Sequence, residues 1–189
     1  MSVAAYKPVI SGFDKSEIAG SDTGEILAAL GEAPNDAAVA RVSPWRFKAS
    51  LAPNMAARAE GATLDCDSLF SFTRNVLSGQ SDLTLIEGVG GVMVPLDEEK
   101  TVLNWIVDAG APVVLVVGDY LGTISHTLTA VAVLRAKGAE ISAVVVSESG
   151  ESSAAFDETR AEIARWAAPS RVLALRRGGD GAALAALIE

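Results

Sequence analysis

Three polar residues stand where apolar runs of this sequence stop, and their types suit the handling of anions. In "LTLIEGVGG", Glu87 follows four largely apolar residues and precedes Gly88, Gly90 and Gly91. A carboxylate at a strand tip, ahead of a loop with little side-chain bulk, suits a Mg²⁺ ion carrying phosphates. The glycines let backbone N–H groups approach an anion. The same string also suits an ordinary tight turn with a solvated glutamate. In "AAYKPVISG", Lys7 lies near the carboxyl end of a β-prone run, and Pro8 removes a backbone donor. A lysine there is either a compact cation that steadies a phosphoryl group or a carbamate, or a protective charge on an edge strand. In "GSDTGE", Asp22 stands at a predicted helix start. It serves as an N-cap, as a second Mg²⁺ carboxylate, or as both, since a capping carboxylate has a spare oxygen.

Other polar positions are less specific. "GDYLGTISHTL" places Ser125 and His126 in the first turns of a helix. A nucleophile needs partners that this segment does not supply, so His126 reads as a structural contact where the helix begins. "VVVSESG" places Ser147 and Glu148 at a strand tip, either lining a nucleotide-base pocket or capping the next helix. Cys66 reads as a half-buried helix residue, and Trp45, Trp105 and Trp166 as packing groups. No G-x-x-x-x-G-K-[ST] string occurs in the 189 residues, so the phosphate cradle that such sheets commonly carry is missing from them.

The elements that must position these residues alternate. Strand patterns cover 4–10, 82–91, 111–118, 141–149 and 170–175. Helical patterns cover 22–31, 51–61, 65–79, 100–110, 123–138, 154–168 and 181–189. Residues 34–47 look irregular, with a short edge strand near 41–47. "APVVLVVG" is apolar on both faces, as a buried parallel strand is. Strands alternating with helices of this length imply right-handed parallel βαβ units, an α/β fold with helices flanking the sheet. Ligands then sit at the carboxyl ends of the strands. Size implies one domain over 1–189.

Composition narrows the function classes. Half the residues are apolar, 21% are charged and the net charge is −9. Arg176-Arg177 is the densest basic point, which argues against nucleic-acid binding. No apolar run reaches the roughly 18–20 residues of a membrane span, and the start lacks the pattern of a secretory signal. One cysteine forbids an internal disulfide and makes a reducing, cytoplasmic setting the default. One histidine and one cysteine argue against a zinc site.

In order, "AYKPVISG", "SD", "SPWRF", "LAPNMAA", "IEGVGG", "VPLD" and "VVGDYLGTISHTL" resemble the dethiobiotin synthetases over essentially the whole chain. The resemblance implies a P-loop NTPase-like, Rossmann-like three-layer fold, usually as a homodimer. It implies an ATP- and Mg²⁺-dependent ligase that closes the ureido ring of 7,8-diaminononanoate with CO₂ in biotin biosynthesis. It assigns Lys7 to the substrate carbamate and transferred phosphoryl, Ser11 to the substrate, and Asp22 and Glu87 to Mg²⁺ and ATP. Glu87, Gly88, Val89 and Gly90 match the ATP-contacting turn. Ser147 and Glu148 fall where the family often has Asn-Asp at the adenine pocket. Leu175, Arg176 and Arg177 fall near the other adenine-side contact, with Arg176 in place of a frequent proline.

The sequence departs from the family at its start. Members begin with a strand, a loop ending in Gly-Lys-Thr and a helix, roughly 30 residues forming one arm of a βαβ unit, whereas this sequence begins at the second strand. The preferred expectation is a truncated product or a misassigned start. The alternatives are a separate partner chain that carries the loop, or a relative that binds ligand without catalysis. On any of them these residues alone turn over little, and the sheet carries an unpaired gap.

Overall fold

A computed structural model describes residues 1–150, 155–168, 171–179 and 181–187. The chain forms two compact units, Met1–Ala109 and Gly110–Glu189.

In the first unit the expected strand over 4–10 is two strands. β1 (Val3–Tyr6) and β2 (Val9–Ser11) are separated by Lys7 and Pro8. Proline has no N–H to donate and restricts the residue before it. The Lys7 N–H, on the side of the strand away from β4, donates to the Val42 carbonyl at 3.0 Å. The two halves then take different parallel partners. β1 pairs with β4 (Leu83–Ile86), Tyr6 opposite Ile86, and β2 pairs with β3 (Trp45–Phe47), Ser11 opposite Phe47.

Helix α1 (Asp22–Ala29) is capped by Ser21, whose Oγ accepts from the Gly24 N–H at 3.3 Å. Asp22 is therefore the first helical residue and not the cap. The stretch expected to be irregular contains α2 (Asp36–Val42), seven residues started by Asn35, whose Oδ1 accepts from the N–H groups of Ala37 and Ala38. α3 (Pro53–Ala59) has proline in its first turn, α4 (Cys66–Leu77) is capped by Asp65, and α5 (Val102–Ala109) ends the unit. The apolar faces meet in two clusters, one around Val9, Phe47, Leu69 and Leu96, the other around Ile10, Leu27 and Val42. Cys66 is 3% exposed, deeper than expected. Burial, then a hydrogen bond to Asp97, pushes its thiol up to about 12. Trp105 is buried, and its Nε1 donates to Thr73 Oγ1 at 2.7 Å.

The second unit holds one parallel sheet in the order β5-β6-β7, formed by β5 (Val113–Val117), β6 (Ile141–Ser147) and β7 (Val172–Leu175). α6 (Thr123–Ala136) and α7 (Phe156–Ala167) follow β5 and β6. Val131, Val144, Val146, Phe156 and Ile163 make its core. The best-buried strand is β6, with residues 143–146 all buried. β5, expected to be buried, is at the edge of the described sheet, and Val116 is 62% exposed. Trp166 is also exposed, its Nε1 bonded to Glu162 at 2.8 Å, so it is not a packing group. The final run is a 3-10 helix, Ala182–Leu187, where an α-helix was expected. The expected helix start at Ala154, strand start at Ser170 and end at 188–189 lie outside the described residues. Among the described residues no helix is long and apolar enough to cross a membrane.

Candidate active site

The parallel pairing of β1 with β4 sets the site. Tyr6 and Ile86 face each other at the ends of their strands, so Lys7 and Glu87 leave the sheet side by side, and the Glu87 N–H donates to the Tyr6 carbonyl at 2.8 Å. The Lys7 ammonium donates to Glu87 Oε1 at 2.6 Å and to the Gly88 carbonyl at 2.8 Å. Asp22 Oδ2 lies 3.0 Å from it. Because Ser21 does the capping, the Asp22 carboxylate is free to meet Lys7 while standing in the first turn of α1, where the helix dipole favours an anion.

Burial is unequal across this cluster. The Lys7 side chain is 7% exposed, and those of Asp22 and Glu87 are 51% and 55% exposed. The ammonium has three donors; two are hydrogen-bonded, to Glu87 Oε1 and the Gly88 carbonyl, and Asp22 Oδ2 adds an ion pair. One ammonium with two carboxylates leaves a formal charge of −1.

Lys7, Ser11, Asp22, Ser50, Val89 and Gly90 line a cavity of about 470 Å³, together with Val94 and the 51–53 segment. Ser11 Oγ is buried and makes no hydrogen bond within the protein. Gly90 has φ +64°, and an added Cβ would stand 2.8 Å from Val94 Cγ2, so the turn after Glu87 requires glycine there on two counts. The sequence reading named Lys7, Ser11, Asp22 and the Glu87–Gly90 turn, and the fold brings them together. It missed Ser50 and Val94, which carry no chemical signature, and the Gly88 carbonyl, a backbone group that residue type cannot reveal.

Asp22 and Glu87 already converge on one cation, the Lys7 ammonium. Mg²⁺ takes oxygen ligands and is usually held by one or two carboxylates, with waters and substrate phosphates completing its shell. The donor set fits such an ion. Among the described residues no group of three or more His, Cys, Asp or Glu is placed to hold a metal.

Ser147, Glu148, Leu175, Arg176 and Arg177 form a separate cluster within the second unit. Ser147 is opposite Leu175 in the β6–β7 register, and the Glu148 N–H donates to the Leu175 carbonyl at 2.9 Å. Glu148 does not cap α7, whose N-cap position, Ala155, has no side-chain bond. Instead Glu148 Oε1 accepts from Arg176 Nη1 at 3.0 Å and Oε2 from the Arg177 N–H at 3.1 Å. The other side of the Arg176 guanidinium reaches Asp157 at 2.6 Å and lies over the Phe156 ring at 4.1 Å. The Glu148 hydrogen bond, with that of Asp157, holds the guanidinium pKa above its ordinary value. His126 is bonded through Nδ1 to the Tyr120 hydroxyl at 3.0 Å, a local contact at the start of α6.

A family model described as an AAA domain matches residues 1–175. An ATP-dependent dethiobiotin synthetase of Phenylobacterium zucineum is 46% identical over 190 residues, covering all of this chain and 81% of the relative. The corresponding protein of Caulobacter vibrioides is 46% identical over 183 residues, 95% of this chain and 81% of the relative. That of Pseudomonas paraeruginosa is 36% identical over 190 residues, 99% of this chain and 83% of the relative.

Proposed function

The chain belongs to the dethiobiotin synthetases, C–N ligases of biotin biosynthesis with a P-loop NTPase-like α/β fold, and from that premise we propose that its first unit carries the substrate-handling half of an ATP- and Mg²⁺-dependent ureido ring closure. The observation that carries this reading is the buried Lys7 ammonium, shared by two half-exposed carboxylates at the wall of a cavity.

In the proposed reaction one amine of 7,8-diaminononanoate adds to CO₂ to give a carbamate, and ATP phosphorylates that carbamate. The second amine then attacks its carbon, phosphate leaves and the ring closes. Most of the barrier lies in placing anions beside one another, and positioning with fixed charge meets that need with little covalent help. Lys7 supplies a compact cation for the carbamate and the transferred phosphoryl. The Ser11 hydroxyl, with no partner inside the protein, is free to bond the substrate. Asp22 and Glu87 would hold Mg²⁺, whose double charge neutralises ATP phosphates when bound. The Glu87–Gly90 turn, with Gly88 and Val89, lies against the nucleotide. Ser147, Glu148, Leu175, Arg176 and Arg177 form the adenine side, within a cytoplasmic homodimer.

Residues 1–189 contain no Gly-Lys-Ser/Thr loop, and turnover is expected to need one. A second reading is a relative that binds diaminononanoate without turnover. The test is formation of dethiobiotin from labelled CO₂, diaminononanoate and Mg-ATP, with diaminononanoate binding measured alongside. The expected result is binding with turnover near background for the chain alone, and turnover when a polypeptide carrying a phosphate loop is added. Robust turnover by the chain alone refutes the need for a separate loop. Absence of diaminononanoate binding under any condition refutes the substrate assignment. Binding without turnover even with a loop supplied establishes the second reading.

A further inference from the structure

We propose that Lys7 is the resident counter-ion of Asp22 and Glu87, and that a divalent cation bound by these carboxylates exchanges with it, freeing the ammonium for the cavity that Lys7 and Ser11 line. The inference rests on the reading of Asp22 and Glu87 as metal carboxylates. Its starting point is that Lys7 is already engaged: two hydrogen bonds, to Glu87 Oε1 and the Gly88 carbonyl, and an ion pair to Asp22 Oδ2 surround its nitrogen within 3.0 Å. An anion approaching this ammonium meets the two carboxylates that already neutralise it.

Electrostatics gives the same order of events. As it stands, the cluster carries a formal charge of −1 and repels a carbamate or phosphate. A divalent cation on the carboxylates changes that to +1 and attracts one. The carboxylates are half exposed and open to an ion from solvent, while the ammonium lies buried behind them. A divalent ion and an ammonium on the same two carboxylates repel each other strongly at such range. The site thus has two states, closed by lysine or opened by metal, and cation binding comes before anion binding. Coupling of this kind is reciprocal and typically amounts to roughly 5–150-fold in affinity.

The test is calorimetric titration of Mg²⁺ into the full chain without nucleotide, for wild type, Lys7→Met and Asp22→Asn, with lysine reductive methylation mapped by mass spectrometry. Lys7→Met is expected to bind Mg²⁺ about tenfold more tightly or better, and Asp22→Asn to lose the binding. In wild type, saturating Mg²⁺ is expected to raise methylation of Lys7 several-fold and leave the exposed Lys48 unchanged. Equal Mg²⁺ affinity with and without the ammonium, with Lys7 still protected, overturns the exchange and leaves the metal reading intact. Binding of Mg²⁺ to neither form overturns both. If Lys7→Met fails to fold, the labelling of wild type decides alone.

Discussion

Replacing Lys7 and neutralising its two partners should have unequal effects on stability, although both break the same ion pairs. Lys7→Met removes an ammonium that is 6% exposed, together with the cost of having taken it out of water, and puts an apolar chain of similar length in its place. The carboxylates left behind are 51% and 55% exposed and can be hydrated. What is costly is a buried charge left without its counter-charge, and here the charges left behind reach water, where a lost pair contributes little. The expected change is within about 1 kcal/mol of wild type. The double variant Asp22→Asn/Glu87→Gln keeps hydrogen-bond acceptors near the ammonium but removes both counter-charges. It leaves a buried charge uncompensated, which costs about 3 kcal/mol or more. For a chain of this size that corresponds to a fall of roughly 6–12 °C in Tm. Urea denaturation at pH 7, with free energies from the midpoints and slopes, measures both. A loss above about 3 kcal/mol for Lys7→Met, with less than about 1 kcal/mol for the double variant, would refute the claim that burial falls on the lysine side of the cluster.

Three further outcomes test the surrounding structure. Gly90→Ala should destabilise by about 1–2 kcal/mol from its positive φ alone, and by more from the contact with Val94, whereas Gly91→Ala, which meets nothing within 4 Å, should be near neutral; thermal melts compare them. Thr73→Val leaves the buried Trp105 Nε1 without its acceptor and should cost about 1–3 kcal/mol by chemical denaturation, with a change in tryptophan emission. Asp65 caps α4, and the Ser68 hydroxyl, followed by the Ser68 N–H, holds its carboxyl below the ordinary value. Its contribution is therefore complete above the ordinary carboxylate pKa and is lost as pH falls through the lower folded value. Asp65→Asn keeps the cap and should flatten that acid limb of the stability–pH curve.

What the sequence revealed depended on range. Glu87 was legible because a strand pattern, a carboxylate and three glycines lie within nine residues, and the fold places it at the strand tip as read. Lys7 was legible only as a choice between two roles. The deciding contacts come from Asp22, 15 positions on, and from Glu87, 80 positions on, and no local periodicity carries such pairings. The single strand over 4–10 failed for the same reason. β1 and β2 diverge because their partners lie in different parts of the chain. Asp22 was misread as the cap because Ser21 and Asp22 are both good caps, and the choice turned on which side chain reached Gly24. Burial of β5 was overestimated because an all-apolar strand reports what it can tolerate, while its neighbours decide what it meets. The Glu148–Arg176 pair joins two loops whose sequences gave no sign of it.

The break at Lys7 and Pro8 also explains why a charge so close to a sheet is not an edge charge. Had the strand run through, the next donor to the β1–β4 ladder would have been the N–H of residue 8, which proline lacks. Proline ends that ladder, and the Lys7 N–H, on the side of the strand away from β4, is bonded to Val42. The lysine side chain then lies at the strand end, where the Glu87 carboxylate and the Gly88 carbonyl also emerge. An edge lysine deters association because its charge stays in water. This one is held at 6% exposure between carboxylates, in a protein of net charge −9 that offers anions no general attraction. A cation placed in this way faces the cavity it lines rather than bulk water.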